Sequence, residues 1–274
     1  MMHQEFTFQL NNIDFFGQYW QPETTKVVVV LVHGMGEHST RYTTSVVPKM
    51  IENNIAVVSF DHFGHGKTKG KRGHAPSYDA VLNSVASAIE KAKELYPNKP
   101  IFLYGHSMGG NVVINYVLRR QSEVKGVIAS SAFLRLAFQP PAWKMFLGKM
   151  MLKIAPSITL GNELDPNDVS RIKEEVDKYI ADPLVHDKVS PNFSLPFIDA
   201  GEWAIKNANK LTVPLLLIHG TGDKIIDYKG SIDFAKNTPL ATVKLYENGY
   251  HELHNDLCKE EVLQDVTNWL NSHL

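Results

Sequence analysis

The sequence predicts an α/β protein in which a mostly parallel sheet is covered by helices on both faces. Short apolar runs of strand length alternate with longer segments of helical periodicity along most of the 274 residues. Such a β-α-β alternation requires parallel strands that are joined by crossover helices. A Gly-His-Ser-Met-Gly turn also joins one of these strands to one of these helices.

The elements follow in order from an opening hairpin. Residues 6–10 and 13–20 have strand patterns on either side of Asn11-Asn12, which predicts two antiparallel strands. Further strands are predicted, in chain order, at residues 26–32, 55–60, 99–104, 124–130, 213–219 and 241–247, with helices at 78–95 and 111–120.

Composition fits one large domain with an insertion. Hydrophobic residues make up 43% of the chain and charged residues 21%, which is ordinary for a globular protein. A formal charge of −1 argues against nucleic acid or another polyanion as a partner. The single cysteine, Cys258, excludes an internal disulfide and predicts a cytoplasmic protein, and the N-terminal residues show no secretory signal.

Ser107 is the candidate nucleophile. It lies in Gly105-His106-Ser107-Met108-Gly109, where a strand pattern passes directly into a helical one. A serine on such a sharp turn is held in a strained backbone conformation that exposes its hydroxyl, and the following helix directs free N–H groups towards it. The motif therefore predicts nucleophilic catalysis.

A serine hydroxyl needs a base, and the base needs an orienting acid. Asp223 follows the strand pattern at 213–219, and His251 follows the pattern at 241–247. The order serine, acid, histidine, with each residue behind a strand, predicts a triad at one edge of the sheet. Asp227 and His254 are the alternatives. We interpret them as solvated or supporting residues, with His254 one turn into the C-terminal helix.

Backbone N–H groups are expected to form an oxyanion hole. Met108 follows the nucleophile, and Met35 lies in the glycine-rich His33-Gly34-Met35-Gly36 turn behind the strand pattern at 26–32. No metal or other cofactor is expected. Histidines such as His62 and His65 lack a cysteine or carboxylate cluster at metal-ligand spacing, and a serine triad needs no metal.

Five motifs are informative together: His33-Gly34-Met35-Gly36-Glu37-His38, Arg41-Tyr42, Asp61-His62-Phe63-Gly64-His65-Gly66, Gly105-His106-Ser107-Met108-Gly109-Gly110 and Tyr250-His251-Glu252-Leu253-His254. With them the chain resembles the monoacylglycerol lipase and lysophospholipase family of α/β-hydrolases. The resemblance extends from near residue 13 to residue 274 and is weakest between residues 134 and 175.

The resemblance implies the α/β-hydrolase fold, with Ser107, Asp223 and His251 as triad and Met35 and Met108 as oxyanion donors. It also implies a site for a glycerol head group, contacted by Glu37, Arg41, Tyr179 and His254. Mammalian members of the family carry a cysteine three residues past the catalytic acid. This chain has Ile226 there, which puts inhibition through that thiol in doubt.

Between the strand patterns ending near residue 131 and starting near residue 213, no convincing strand is found, which predicts a helical cap over the site. We expect a core of residues 1–132 and 208–274 and a cap of residues 133–207. Within the cap, residues 142–155 are rich in large apolar side chains, and Lys149 and Lys153 share one helix face. This helix could lie in a lipid interface or pack on the core beside an acyl pocket, and the two interpretations are compatible.

The sequence thus predicts a serine hydrolase that cleaves monoacylglycerols to glycerol and a fatty acid through an acyl-enzyme on Ser107. A lysophospholipase or general carboxylesterase with the same triad is the alternative. A carbon–carbon bond hydrolase or a peptidase would need a differently lined pocket. A noncatalytic binding protein of this fold usually lacks a triad member, whereas this chain has all three. The expected partners are a small lipid substrate and, peripherally through the cap, membranes or lipid aggregates.

Overall fold

The structure is a computed structural model that describes residues 2–274. Its main sheet has eight strands: β1 (Met2–Leu10), β2 (Ile13–Gln21), β3 (Val27–Val32), β4 (Ile55–Phe60), β5 (Ile101–His106), β6 (Gly126–Ser130), β9 (Leu215–Gly220) and β10 (Ala241–Tyr246). A separate antiparallel pair is formed by β7 (Leu160–Gly161) and β8 (Lys188–Val189). The order of strands in the main sheet is β1-β2-β4-β3-β5-β6-β9-β10. Six strands of the main sheet are parallel to one another: β4, β3, β5, β6, β9 and β10. The β2 strand is antiparallel to both of its neighbours.

Helices cover both faces of this sheet: α1 (Val46–Glu52), α2 (Tyr78–Leu95), α3 (Met108–Arg119), α4 (Ala142–Ile154), α5 (Lys173–Ala181), α6 (Pro191–Lys206), α7 (Tyr228–Lys236) and α8 (Lys259–Ser272). The β3 strand shows how the two layers arise. Val28, Val30 and Val32 pack with residues of α2, α3, α6 and α7, whereas the alternate residues pack with α1 and α8. Both faces of a central parallel strand are therefore apolar, as its sequence requires.

The predicted fold class is confirmed, including the opening hairpin and the helix at 78–95. Most predicted boundaries agree with the structure to within two residues. Two boundaries shift further. The β1 strand begins at Met2 and not at residue 6. The α3 helix begins at Met108 and not at residue 111, because the turn at Ser107 leads into the helix without a linker.

The order of the strands determines where a ligand can bind. From β3 the chain goes to β4 on one side and then crosses to β5 on the other side. At such a switch point the loops that follow the two strands diverge and leave a crevice at the carboxyl edge of the sheet. The loops after β3 and β5 therefore border one site.

The segment between β6 and β9 differs in part from the expected cap. The two-residue strands β7 and β8 lie in it, and α6 belongs to the helical layer of the core. Phe193, Phe197 and Ala204 of α6 are buried with residues of α3. We therefore propose that the cap spans residues 133–190 and not 133–207.

The α4 helix has a different environment from α6, because none of its residues is buried. Trp143, Phe146 and Ile154 expose 63%, 71% and 71% of their surface. Within residues 2–274, no helix combines the length and the apolar character needed to cross a membrane.

Candidate active site

Ser107 occupies the turn between β5 and α3 with φ 53° and ψ −114°, a conformation that non-glycine residues rarely adopt. Backbone hydrogen bonds hold it there. The Ser107 N–H donates to the Ser130 carbonyl at 2.8 Å, and the Ser107 carbonyl accepts from the Phe133 N–H at 2.9 Å. The neighbouring strand β6 and the loop that follows it therefore fix the serine on both sides.

The two glycines of the serine motif are required by close backbone approach. A Cβ atom on Gly109 would collide with the carbonyl oxygen of Val32, at the end of β3. A Cβ atom on Gly105 would collide with the carbonyl of Gly109 itself. These contacts explain why the helix can begin directly behind the strand.

Asp223 and His251 meet at the carboxyl ends of β9 and β10. The Nδ1 atom of His251 lies 2.8 Å from Oδ2 of Asp223, and Oδ1 of Asp223 accepts from the N–H groups of Ile225 and Ile226 at 2.9 and 3.0 Å. Burial alone would raise the pKa of Asp223, but His251 and His219 lower it below its usual range. Burial opposes the charged form of His251 as well, yet Asp223 keeps the pKa of His251 above its ordinary value.

The two alternative residues, Asp227 and His254, have other environments than Asp223 and His251. Asp227 precedes α7, and its side chain accepts a hydrogen bond from the Lys229 N–H, so it is the N-cap of that helix. His254 lies in a short 3-10 turn, Leu253–Asn255, and not in the C-terminal helix as expected. It is fully buried and stacks on Tyr42.

A cavity of about 310 Å³ opens beside Ser107 and His251. Met35, Glu37, Tyr179 and Glu252 also line it, and residues of the cap complete the wall: Asn162, Leu164, Asp165, Pro166, Val169, Ile180, Val185, His186 and Asp187. Within residues 2–274, neither the Met35 N–H nor the Met108 N–H has a hydrogen-bond acceptor. Both donors are thus free to bind an oxygen of a ligand.

A buried network of charges forms one end of this cavity. Arg41 donates to Glu252 at 2.5 and 2.9 Å and to Glu37 at 3.2 Å, and its guanidinium lies 4.6 Å from the centre of the Tyr179 ring. Burial raises the pKa of Glu37, which Arg41 offsets only in part. For Glu252, Arg41 outweighs burial and lowers the pKa to about 2.

The expected head-group residues therefore divide into two pairs. Glu37 and Tyr179 line the cavity, whereas Arg41 and His254 lie behind its wall. The guanidinium of Arg41 is hydrogen-bonded to Glu37 and Glu252. Burial lowers the pKa of His254 to about 4, and within residues 2–274 neither of its ring nitrogens has a hydrogen-bond partner.

The sequence interpretation missed three side chains that contact the candidate triad or its cavity. Glu252 shares Arg41 with Glu37, and its position beside His251 was the only available signal. Ser131 has a positive φ of 45° and donates its hydroxyl to the His251 carbonyl at 2.7 Å. His219, near the end of β9, lies 3.2 Å from Asp223, four residues before that acid. Among residues 2–274, no three potential metal-binding side chains converge.

The fold and the geometry of this site are those of an α/β hydrolase. The family model for serine aminopeptidase, S33, matches residues 23–258. A monoglyceride lipase of Rattus norvegicus is 32% identical over 94% of this chain and 87% of its own length. The chain belongs to the monoglyceride lipase family of α/β hydrolases and is a serine hydrolase of that family.

Two further similarities extend this comparison. The crystal structure of a monoacylglycerol lipase from Paleococcus ferrophilus has a TM-score of 0.86 and 36% identity, and it covers 93% of this chain and 98% of that one. An uncharacterized abhydrolase domain-containing protein of Dictyostelium discoideum is 34% identical over 93% of this chain, which spans only 27% of that relative.

Proposed function

We propose that the protein hydrolyses monoacylglycerols through an acyl-enzyme on Ser107. One observation carries the proposal. A serine on a strained strand-to-helix turn and a histidine paired with a buried aspartate line the same cavity, and the two glutamates of the Glu37–Arg41–Glu252 network line it too. The serine, histidine and aspartate provide the groups for cleavage of an ester, and the network provides polar groups that can bind an alcohol.

The proposed reaction has two steps. Oγ of Ser107 attacks the ester carbonyl while His251 accepts the serine proton. The N–H groups of Met35 and Met108 bind the resulting oxyanion. Glycerol leaves with the proton from His251. Water, deprotonated by the same histidine, then attacks the acyl carbonyl. The bond to Ser107 breaks, the fatty acid leaves, and His251 returns the proton to Oγ of Ser107. Asp223 holds Nδ1–H of His251 and so leaves Nε2 free to accept a proton.

The charge of the cavity favours a neutral head group over a phosphate. Glu37 and Glu252 share the single positive charge of Arg41, and Asp165 adds a carboxylate to the wall. Asp187 also lines the wall and pairs with Lys188 at 2.9 Å. An anionic phosphate brought near these groups is repelled, whereas glycerol hydroxyl groups donate and accept hydrogen bonds without adding charge. This supports monoacylglycerol over lysophospholipid.

A substrate panel tests the proposal. We expect kcat/KM to be highest for monoacylglycerols, lower for diacylglycerols and lowest for lysophospholipids. Ser107→Ala should remove activity on all of them, and intact mass should show one fluorophosphonate adduct, on Ser107. A preference for lysophospholipids or for simple esters would instead support the alternative function with the same triad.

We infer further that α4 contacts lipid aggregates. Its exposed Trp143, Phe146 and Ile154 support this, as do Lys149 and Lys153, which are exposed on the same helix. Gly148 lies against Leu195 of α6, so the helix also packs on the core layer. A cytoplasmic location stays a prediction that rests on the single cysteine.

A further inference from the structure

His219 is a buried polar residue that the proposed mechanism does not use. It lies in β9, one residue before the strand ends, and has no exposed surface. Its Nε2 atom lies 3.2 Å from Oδ2 of Asp223, and its Nδ1 atom lies 2.9 Å from Oγ of Ser231 in α7. The ring therefore connects the candidate catalytic acid to a helix of the core.

The hydrogen-bond chemistry of Asp223 determines which atoms carry protons. Its Oδ1 already accepts two backbone N–H groups, while Oδ2 faces both Nδ1 of His251 and Nε2 of His219. A carboxylate can only accept, so both ring nitrogens that face it carry a hydrogen. In a neutral His219 ring, Nδ1 is then an acceptor, and the Ser231 hydroxyl donates to it.

We propose that His219 is a positioning residue for Asp223. The N–H group of His219 holds Oδ2 of Asp223 towards His251 and stabilises part of the carboxylate charge. The proposal rests on the function proposed for Asp223 and His251. With two donors on one oxygen, the attraction of Asp223 for the His251 proton is divided. His219 thereby sets how basic His251 is.

The direction of the effect follows from the shared oxygen. Without the His219 N–H, Asp223 binds the Nδ1 proton of His251 more tightly, and the pKa of His251 rises further. Since only neutral His251 can accept the serine proton, the acid limb of the activity profile moves to higher pH. The other titratable groups around His251 stay in place: Glu37, Glu252, His106 and His254.

Two variants of similar shape separate hydrogen bonding from packing. Glutamine carries an N–H group near the position of the imidazole Nε2, whereas methionine has the same length and no such donor. With a short p-nitrophenyl ester, we expect His219→Met to raise the acid-limb pKa of kcat/KM by about one unit. The kcat should fall about tenfold, the size expected for one hydrogen bond to a charged group, and KM should change less than about twofold. His219→Gln should recover most of the loss.

Equal pH profiles and equal kcat values for the two variants would mean that His219 only packs, and the proposal would be rejected. If His219→Met does not fold, the ring of the wild-type protein still decides the question. Nitrogen-15 NMR should show a slowly exchanging proton on Nε2 of His219, and a proton on Nδ1 alone would overturn the proposal. Failure of the triad itself is a separate outcome, because it would appear as an active Asp223→Asn variant.

Discussion

The loops that carry Ser107, Asp223 and His251 are bonded into the sheet, whereas α4 lies mainly against one neighbouring helix with no buried residue. Backbone hydrogen bonds fix Ser107 to β6 and to the loop that follows it, and the hydroxyl of Ser131 donates a hydrogen bond to the carbonyl of His251. Segments with many buried contacts open only with the whole domain, while exposed ones move at little cost. We infer that the residues on the loops of the sheet cleave the ester bond, whereas residues of the cap bind the acyl chain.

The greatest loss of activity should follow from changing the acid that the sheet positions. Asp223→Asn keeps the size of the side chain but removes the charge that orients and supports His251, so kcat on a soluble aryl ester should fall about 10⁴-fold. Combining this change with Ser107→Ala should add little, because the two residues act as a unit.

Asp227→Asn is the matched control for this change. Asparagine is as good an N-cap as aspartate, so α7 should keep its start and activity should stay within about twofold of wild type. A comparable loss in both variants would mean that Asp227 also acts on His251.

The pH dependence of activity should depend on the residues that the sheet positions and not on the cap. Asp223 raises the pKa of His251 against the effect of burial, and only the neutral ring accepts a proton. We therefore expect kcat/KM on a short ester to fall about tenfold per pH unit below a midpoint that lies above the ordinary histidine value of about 6.5. Substitutions on α4 should leave that midpoint unchanged, and a shifted midpoint would contradict the division into two regions.

The head-group end of the cavity should give a smaller and more selective effect. Tyr179 lines the cavity below Arg41, and Tyr179→Phe keeps the ring while removing a hydroxyl that a glycerol oxygen can bind. We expect kcat/KM for monoacylglycerol to fall about tenfold, with an aryl ester nearly unaffected.

Tyr246→Phe makes the same chemical change on β10, where the hydroxyl bonds Asp265 and does not reach the cavity. It should leave both activities within about twofold of wild type. If Tyr179→Phe also affects neither substrate, the head group does not reach this wall.

The smallest expected effect comes from the cap. Replacing Phe146 and Leu147 by serine removes exposed apolar surface, so vesicle binding should weaken and KM for long-chain substrate should rise about fivefold. Short esters and the melting temperature should change little, because neither residue is buried. Leu257→Ser, which changes a residue 67% exposed outside the cap, is the control for a general loss of surface hydrophobicity.

The sequence was sufficient for the fold class and for bringing Ser107, Asp223 and His251 to one sheet edge, because each follows a strong strand pattern. It was not sufficient for the Arg41–Glu252 pair, whose members are 211 positions apart, since no local pattern encodes such a contact. The proposed end of the cap differs from the expected one for another reason. The apolar spacing of α6 is the same whether a helix covers the core or the site, and only its burial shows which one applies.

The placement of the proposed triad behind β5, β9 and β10 has a consequence for the newly made chain. Ser107 leaves the ribosome long before His251, which follows β10, the strand at one edge of the sheet. While the residues between Ser107 and His251 are being made, the turn that carries Ser107 has no histidine base. We therefore expect ester cleavage to begin only once β10 has paired with β9, so that the appearance of activity during synthesis would report completion of the sheet.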